Sequence, residues 1–151
     1  VFGVCNGFQI LCESGLLPGT LLHNTNQKFI CKNQYIKADN NDTAMTMSIP
    51  KNKPLNIPIA HGEGRYYAPE DVLKKLHQNG QIIWRYCDIE GNLSEADCPN
   101  GSLMNIAVVC NAGKNVFGMM PHPERAVEPE LGNTDGQYIL KSIIDYLEDR
   151  K

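Results

Sequence analysis

The stretch Val1-Phe2-Gly3-Val4-Cys5-Asn6-Gly7-Phe8-Gln9-Ile10-Leu11 decides the fold. An apolar run is interrupted by a cysteine between two glycines, and a helical pattern of apolar residues follows, so the stretch predicts a strand, an abrupt turn and a helix. Gly3 and Gly7 lie two residues on either side of Cys5, as in a nucleophile elbow, where missing side chains allow a strained corner. The thiol would then lie at a helix N-terminus, where unpaired backbone N–H groups favour the thiolate.

This pattern alone leaves two interpretations of Cys5. It is either an exposed nucleophile or a small apolar residue on a core strand, which is the usual fate of a free cysteine.

The six cysteines lie at positions 5, 12, 31, 87, 98 and 110. They are spaced irregularly and include no C-x-x-C pair. This spacing favours the reduced thiols of a cytoplasmic protein over a disulfide framework, and it predicts no metal site.

Length and composition indicate one ordinary globular domain spanning residues 1–151. The chain has 42% hydrophobic and 21% charged residues, which is typical of a folded soluble protein. A net charge of -3 gives little support to nucleic-acid binding. No apolar run approaches the roughly 20 residues that span a bilayer. We therefore expect neither nucleic acid nor a membrane as a partner.

Several segments show clear helical or strand patterns. Helices are predicted over residues 6–14, 69–77 and 139–147, and strands over residues 57–60, 81–86, 106–110 and 116–120. The last two strands flank Asn111-Ala112-Gly113-Lys114-Asn115, which predicts a hairpin. Prolines at positions 50, 54 and 58 restrict their segment to loops or an edge strand.

The middle of the chain has a different sequence pattern. Short strand-like runs at residues 29–31, 35–36 and 44–49 are separated by turns rich in asparagine and aspartate, which predicts an antiparallel meander. With the helices and strands around it, this segment completes an α/β domain with a mixed, mostly parallel sheet covered by helices. Cys5 is expected at the carboxyl end of a strand, where open α/β sheets bind ligands.

A second informative stretch, Met119-Met120-Pro121-His122-Pro123-Glu124-Arg125-Ala126, follows the last predicted strand. His122 and Glu124 are two residues apart, so in an extended segment both side chains project to the same side. A carboxylate beside the imidazole would orient the ring, which completes a nucleophile, base and orienting acid with Cys5. Taken alone, the same string describes only a proline-stiffened loop with a solvated glutamate.

Together the two motifs, G-x-C-x-G-x-Q and a later H-P-E after a strand, resemble the class I (triad) glutamine amidotransferases. Other strings are similar to one branch of that class, the glutaminase subunits of phosphoribosylformylglycinamidine synthase: GVCNGFQIL, LLPG, FICKNQYI, IPIAHGEGRYY and GMMPHPERA. The likeness runs nearly end to end. It implies a flavodoxin-like three-layer domain whose first strands, with a glycine-rich oxyanion loop, would precede residue 1, so we expect an incomplete domain.

The resemblance also implies roles for individual residues. Cys5 corresponds to the nucleophile, His122 to the general base and acid, and Glu124 to the residue that orients His122. The backbone N–H of Asn6 corresponds to one oxyanion-hole donor. Gln9 corresponds to a substrate-pocket residue, with capping or packing at the start of the helix as its alternative.

A third string, His61-Gly62-Glu63-Gly64-Arg65, is also similar to this branch. The catalytic histidine is already assigned to His122, so His61, Glu63 and Arg65 are expected to have structural or subunit-contact roles.

The implied activity is hydrolysis of glutamine to glutamate and ammonia through a γ-glutamyl thioester on Cys5. Ammonia would pass to a synthetase subunit that makes formylglycinamidine ribonucleotide in cytoplasmic purine biosynthesis, in some systems with a small third subunit. ATP and magnesium are expected at the synthetase and no cofactor in this chain, which has no G-x-x-x-x-G-K-[ST] loop. The alternatives are another triad amidotransferase, a thiol hydrolase, or a non-catalytic interaction module.

Overall fold

The computed structural model describes residues 1–149, which form three α-helices and eight β-strands. The helices are α1 (Asn6–Glu13), α2 (Glu70–Gln78) and α3 (Gly136–Glu148). The strands are β1 (Phe2–Val4), β2 (Thr20–Leu22), β3 (Ile30–Ala38), β4 (Leu55–His61), β5 (Arg65–Tyr67), β6 (Ile82–Tyr86), β7 (Ile106–Cys110) and β8 (Phe117–Met119). All three predicted helices are confirmed, to within three residues at each end.

Six of the strands form one mixed sheet in the order β1-β8-β7-β6-β3-β4, and β2 pairs with β5 in a small antiparallel sheet. An α/β domain with a mixed sheet is therefore confirmed. The expectation of a mostly parallel sheet is wrong for the described strands, because β1 and β8 are parallel and the other four pairs are antiparallel. Short connections such as the β7–β8 hairpin permit only antiparallel pairing, whereas parallel neighbours need a long crossover.

The middle of the chain differs from its predicted meander. Of the predicted runs, residues 30–31 and 35–36 belong to the single nine-residue strand β3, and residue 29 lies just before it. Residues 44–49, predicted as a strand, form turns. Met45 and Ile49 in these turns are buried in the core, so their apolar pattern reflects burial of a turn. Pro58 lies in β4, which is the edge strand that its missing N–H predicts.

Helices cover both faces of the main sheet. Phe8 and Leu11 of α1 and Leu76 of α2 belong to one apolar cluster, whereas Ile139 of α3 belongs to the other. This arrangement places α1, and the turn that precedes it, on one face at the β1 edge. Among residues 1–149, no helix is both long enough and apolar enough to cross a bilayer.

Candidate active site

Cys5 occupies a strained turn between β1 and α1. Its backbone has φ 52° and ψ -105°, a strained positive-φ conformation that costs a non-glycine residue about 1–3 kcal/mol. The turn is fixed on both sides, because the Cys5 N–H donates to the Met119 carbonyl at 2.7 Å and the Cys5 carbonyl accepts from the Gln9 N–H at 3.2 Å. The predicted strand, turn and helix are all present, and Cys5 is on the corner rather than within the strand.

The two glycines of this turn have different steric roles. A Cβ on Gly3 would lie 2.6 Å from Leu11 Cδ1 and 2.7 Å from the Gly7 carbonyl carbon, so the close approach of β1 and α1 requires glycine there. A Cβ on Gly7 would meet nothing within 4 Å. The sequence pattern assigned the same steric role to both glycines, and the structure supports it for Gly3 alone.

The Cys5 thiol is half-buried and contacts β4. Its Sγ lies 3.9 Å from the Ala60 carbonyl oxygen near the end of β4. Burial raises the pKa of the Cys5 thiol, while the Asn6 backbone N–H and the Arg125 guanidinium lower it by smaller amounts. The helix N-terminus thus acts in the predicted direction, and desolvation by burial is the larger, opposing effect on the pKa of the Cys5 thiol. Ionisation at neutral pH therefore needs a base.

His122 and Glu124 form a close pair just beyond β8. His122 Nδ1 lies 2.6 Å from Glu124 Oε1, and the His122 backbone N–H donates to the Pro58 carbonyl of β4 at 2.7 Å. The segment is not extended as predicted: a 3₁₀ turn over Pro123–Arg125 brings the carboxylate back to the ring. A carboxylate accepts hydrogen bonds, so Nδ1 carries the proton and Nε2 presents a lone pair.

Strands β1 and β8 bring Cys5 and His122 to the same end of the sheet. β1 and β8 are parallel neighbours with Val4 opposite Met119, so the chain leaves both strands in the same direction. The His122 Nε2 atom is buried and has no hydrogen-bond partner within residues 1–149, and the partner of Cys5 Sγ is the Ala60 carbonyl. Glu124 and Arg125 both act electrostatically on the Cys5 thiol, which shows that the two segments are close.

Gln9 and Asn6 lie at the start of α1, beside Cys5. The Gln9 side-chain Nε2 donates to the Glu63 carbonyl at 2.9 Å and so joins α1 to the turn between β4 and β5. The Asn6 backbone N–H is among the first amides of α1, which have no partner within the helix, and it acts directly on the Cys5 thiol. The Asn6 amide therefore faces the corner that carries the sulfur, whereas the Gln9 side chain faces the β4–β5 turn.

The string His61-Gly62-Glu63-Gly64-Arg65 forms the turn from β4 to β5. The His61 ring is buried and bonds through Nδ1 to the Asn24 side chain at 3.0 Å, and burial lowers the pKa of His61 to about 4. The Glu63 carboxylate lies 3.4 Å from His23 Nε2 on the surface. Asn24 was missed by the sequence analysis, because nothing in an asparagine-rich segment distinguishes one buried asparagine from its exposed neighbours.

All six cysteines are free. Within residues 1–149, no group of three or more histidine, cysteine, aspartate or glutamate side chains is arranged to hold a metal ion.

The model of the CobB/CobQ-like glutamine amidotransferase domain family matches residues 1–138. The chain belongs to this family. The amidotransferase domain is 54% identical over 144 residues to phosphoribosylformylglycinamidine synthase subunit PurQ of Aquifex aeolicus, covering 95% of this chain and 63% of that protein. It is 49% identical over 146 residues to the subunit PurQ of Methanocaldococcus jannaschii, covering 97% of this chain and 64% of that protein. The domain thus spans a little under two thirds of the length of these relatives.

Solved structures agree on the fold of the amidotransferase domain. A structure of PurLQS from Thermotoga maritima superposes with a TM-score of 0.80 at 45% identity, over 97% of this chain and 61% of the solved chain. A glutamine amidotransferase from the same organism superposes with a TM-score of 0.52 at 13% identity, over 99% of this chain and 48% of the solved chain, which supports the fold alone.

Proposed function

We propose that the chain supplies the glutamine-hydrolysing site of a PurQ-type subunit of phosphoribosylformylglycinamidine synthase. The observation that carries this proposal is that Cys5, on its strained turn, and the His122–Glu124 pair converge at one end of the sheet, beyond the parallel strands β1 and β8. The names of the similar proteins support the choice of substrate and pathway.

In the first step His122 Nε2 accepts the Cys5 proton, and Sγ attacks the side-chain amide carbon of glutamine. A base is required because burial raises the pKa of the Cys5 thiol. The negative charge that develops on the amide oxygen is stabilised by the Asn6 backbone N–H. The Glu124 carboxylate, 2.6 Å from Nδ1, stabilises the positive imidazolium.

The second step releases ammonia. The imidazolium returns its proton to the amide nitrogen, the carbon–nitrogen bond breaks, and a γ-glutamyl thioester remains on Cys5. His122 then accepts a proton from water, and the resulting hydroxide attacks the thioester carbon. Collapse of this intermediate releases glutamate and the Cys5 thiolate, which recovers the proton from His122.

The ammonia is used elsewhere. In the proposal it passes to an ATP-dependent synthetase subunit, in some systems with a small third subunit, and is incorporated into formylglycinamidine ribonucleotide. ATP and magnesium bind the synthetase, and the reaction takes place in the cytoplasm, where the six free thiols stay reduced. The PurLQS assembly of Thermotoga maritima supports a multisubunit partner.

The direct test is covalent labelling with a diazoketone analogue of glutamine, followed by mass spectrometry. We expect one adduct, on Cys5, and an internal control is Cys31, which is more exposed than Cys5 and lies outside the proposed triad. Equal labelling of Cys31 and Cys5, or no adduct on Cys5, would contradict the mechanism and favour a non-catalytic module.

A second measurement distinguishes related enzymes. Glutamine hydrolysis is assayed for the protein alone and with its synthetase subunit. We expect weak hydrolysis that rises when the synthetase binds. Rapid hydrolysis by the isolated protein would instead favour a thiol hydrolase or an amidotransferase with another acceptor.

A further inference from the structure

Asn24 is a fully buried polar residue outside the proposed catalytic set. It lies just after β2, and its relative exposure is 0%. Its side-chain Nδ2 donates to the Lys28 and His61 carbonyls, each at 2.8 Å. Its Oδ1 lies 3.0 Å from His61 Nδ1 and accepts from the Gly64 N–H at 3.1 Å. Two donors and two acceptor positions are thus all used, which leaves the amide one orientation.

These contacts hold the turn between β4 and β5 from both ends. The Asn24 backbone N–H also donates to the Gly62 carbonyl at 2.9 Å, so one residue bonds to His61, Gly62 and Gly64. The same turn reaches the proposed active site through the Glu63 carbonyl, which accepts from Gln9 Nε2. Asn24 therefore sets the position of a backbone segment to which α1 is joined beside Cys5.

The network also determines the proton position on His61. Asn24 Oδ1 can only accept, so His61 Nδ1 must donate, and Nε2 carries the lone pair. The Nε2 atom is buried and has no hydrogen-bond partner within residues 1–149. Burial keeps the ring neutral, with a pKa of about 4. Gly64 has no side chain to displace this ring, whereas a Cβ there would overlap it.

We infer that Asn24 is a positioning residue for the glutamine site: it holds the β4–β5 turn against Gln9 of α1 and keeps His61 in its Nδ1–H form. This inference rests on the proposed function. Asn24 bonds to the turn and not to the proposed catalytic groups, so it acts on the site through the turn.

The kinetic test uses Asn24→Asp, which preserves shape and both acceptors but removes the two donors. With the complete protein and its synthetase, we expect the KM for glutamine to rise at least about 10-fold, with a smaller change in kcat, because a displaced turn misplaces Gln9. The matched control is Asn26→Asp, since Asn26 is exposed and its side chain accepts from the Lys28 N–H. An unchanged KM in folded Asn24→Asp protein would overturn the inference.

A double-mutant cycle tests whether Asn24 acts on the site through Gln9. If Asn24 acts through the Glu63 carbonyl and Gln9, the effects of Asn24→Asp and Gln9→Ala on kcat/KM are not additive, because both remove the same support. Strict additivity of the two effects would show that Asn24 acts elsewhere.

A third measurement does not depend on glutamine turnover. Nitrogen-15 NMR of the unmodified protein should show His61 neutral, with its proton on Nδ1, from pH 8 to pH 5.5. In folded Asn24→Asp protein the Gln9 side-chain amide signal should shift, and in Asn26→Asp it should not. A His61 proton on Nε2, or an unmoved Gln9 signal, would overturn the inference even if the protein proved not to hydrolyse glutamine.

Discussion

His122 Nδ1 and Glu124 Oε1 lie 2.6 Å apart, and the 3₁₀ turn between them keeps the carboxylate half-exposed while the ring is buried. The carboxylate thus stays in contact with water while one of its oxygens accepts from the buried imidazole and fixes the orientation of the ring. The other ring nitrogen is left as an acceptor toward the interior, as a general base for the Cys5 thiol requires.

Replacing Glu124 with glutamine tests this relationship. The amide keeps the size of the side chain but removes the charge that stabilises the imidazolium, so we expect kcat for glutamine hydrolysis to fall about 10²-fold with little change in KM. Steady-state kinetics with the synthetase present measure both constants. Glu130→Gln, on the exposed surface, is the control, and a variant with full kcat would show that the pair is not catalytic.

The reactivity of Cys5 should depend on pH in a defined direction. Because burial raises the pKa of the thiol above its ordinary value of 9.0, the rate at which iodoacetamide modifies Cys5 in the His122→Ala variant should still be rising with pH at about pH 9. With His122 present, the reaction should extend to lower pH. Mass spectrometry of the Cys5 peptide gives the rate, and identical profiles for the two proteins would argue against proton transfer to His122.

The two glycines of the elbow should respond differently to alanine. Gly3→Ala forces a Cβ against the Gly7 backbone and Leu11, so we expect a loss of about 2 kcal/mol in the free energy of unfolding. Gly7→Ala meets open space within α1, so we expect a gain of about 0.5–1 kcal/mol from helix propensity. Urea denaturation measures both, and equal losses would contradict the assigned steric difference.

His61 should make stability depend on pH on the acidic side. Its pKa is lowered from 6.5 to about 4 in the folded state, so the unfolded chain binds the proton more tightly. The contribution is present above pH 6.5 and is lost as pH falls toward 4, by about 2 kcal/mol between pH 7 and pH 5. Urea denaturation at both pH values should show this loss reduced in His61→Gln but retained in His23→Gln, whose site is exposed. A loss of equal size in both variants would contradict the assignment.

Local patterns in the sequence determined the helices, the β7–β8 hairpin and the elbow at Cys5. Each depends on residues only a few positions apart: the 3.6-residue period, the turn residues and the absence of a Cβ at Gly3. The pairing of His122 with Glu124 was also visible, since the two are neighbours in sequence, although the turn that joins them was not.

Tertiary structure decided what lies far apart in the chain. The parallel pairing of β1 with β8 joins segments more than 100 residues apart, and the bonds of Asn24 to the β4–β5 turn span 37 to 40 residues. Burial of Cys5, which opposes the helix N-terminus and raises the pKa of its thiol, also comes from distant segments. Such effects depend on which groups become buried beside one another in the folded chain. Because these groups come from distant parts of the sequence, no local pattern predicts them.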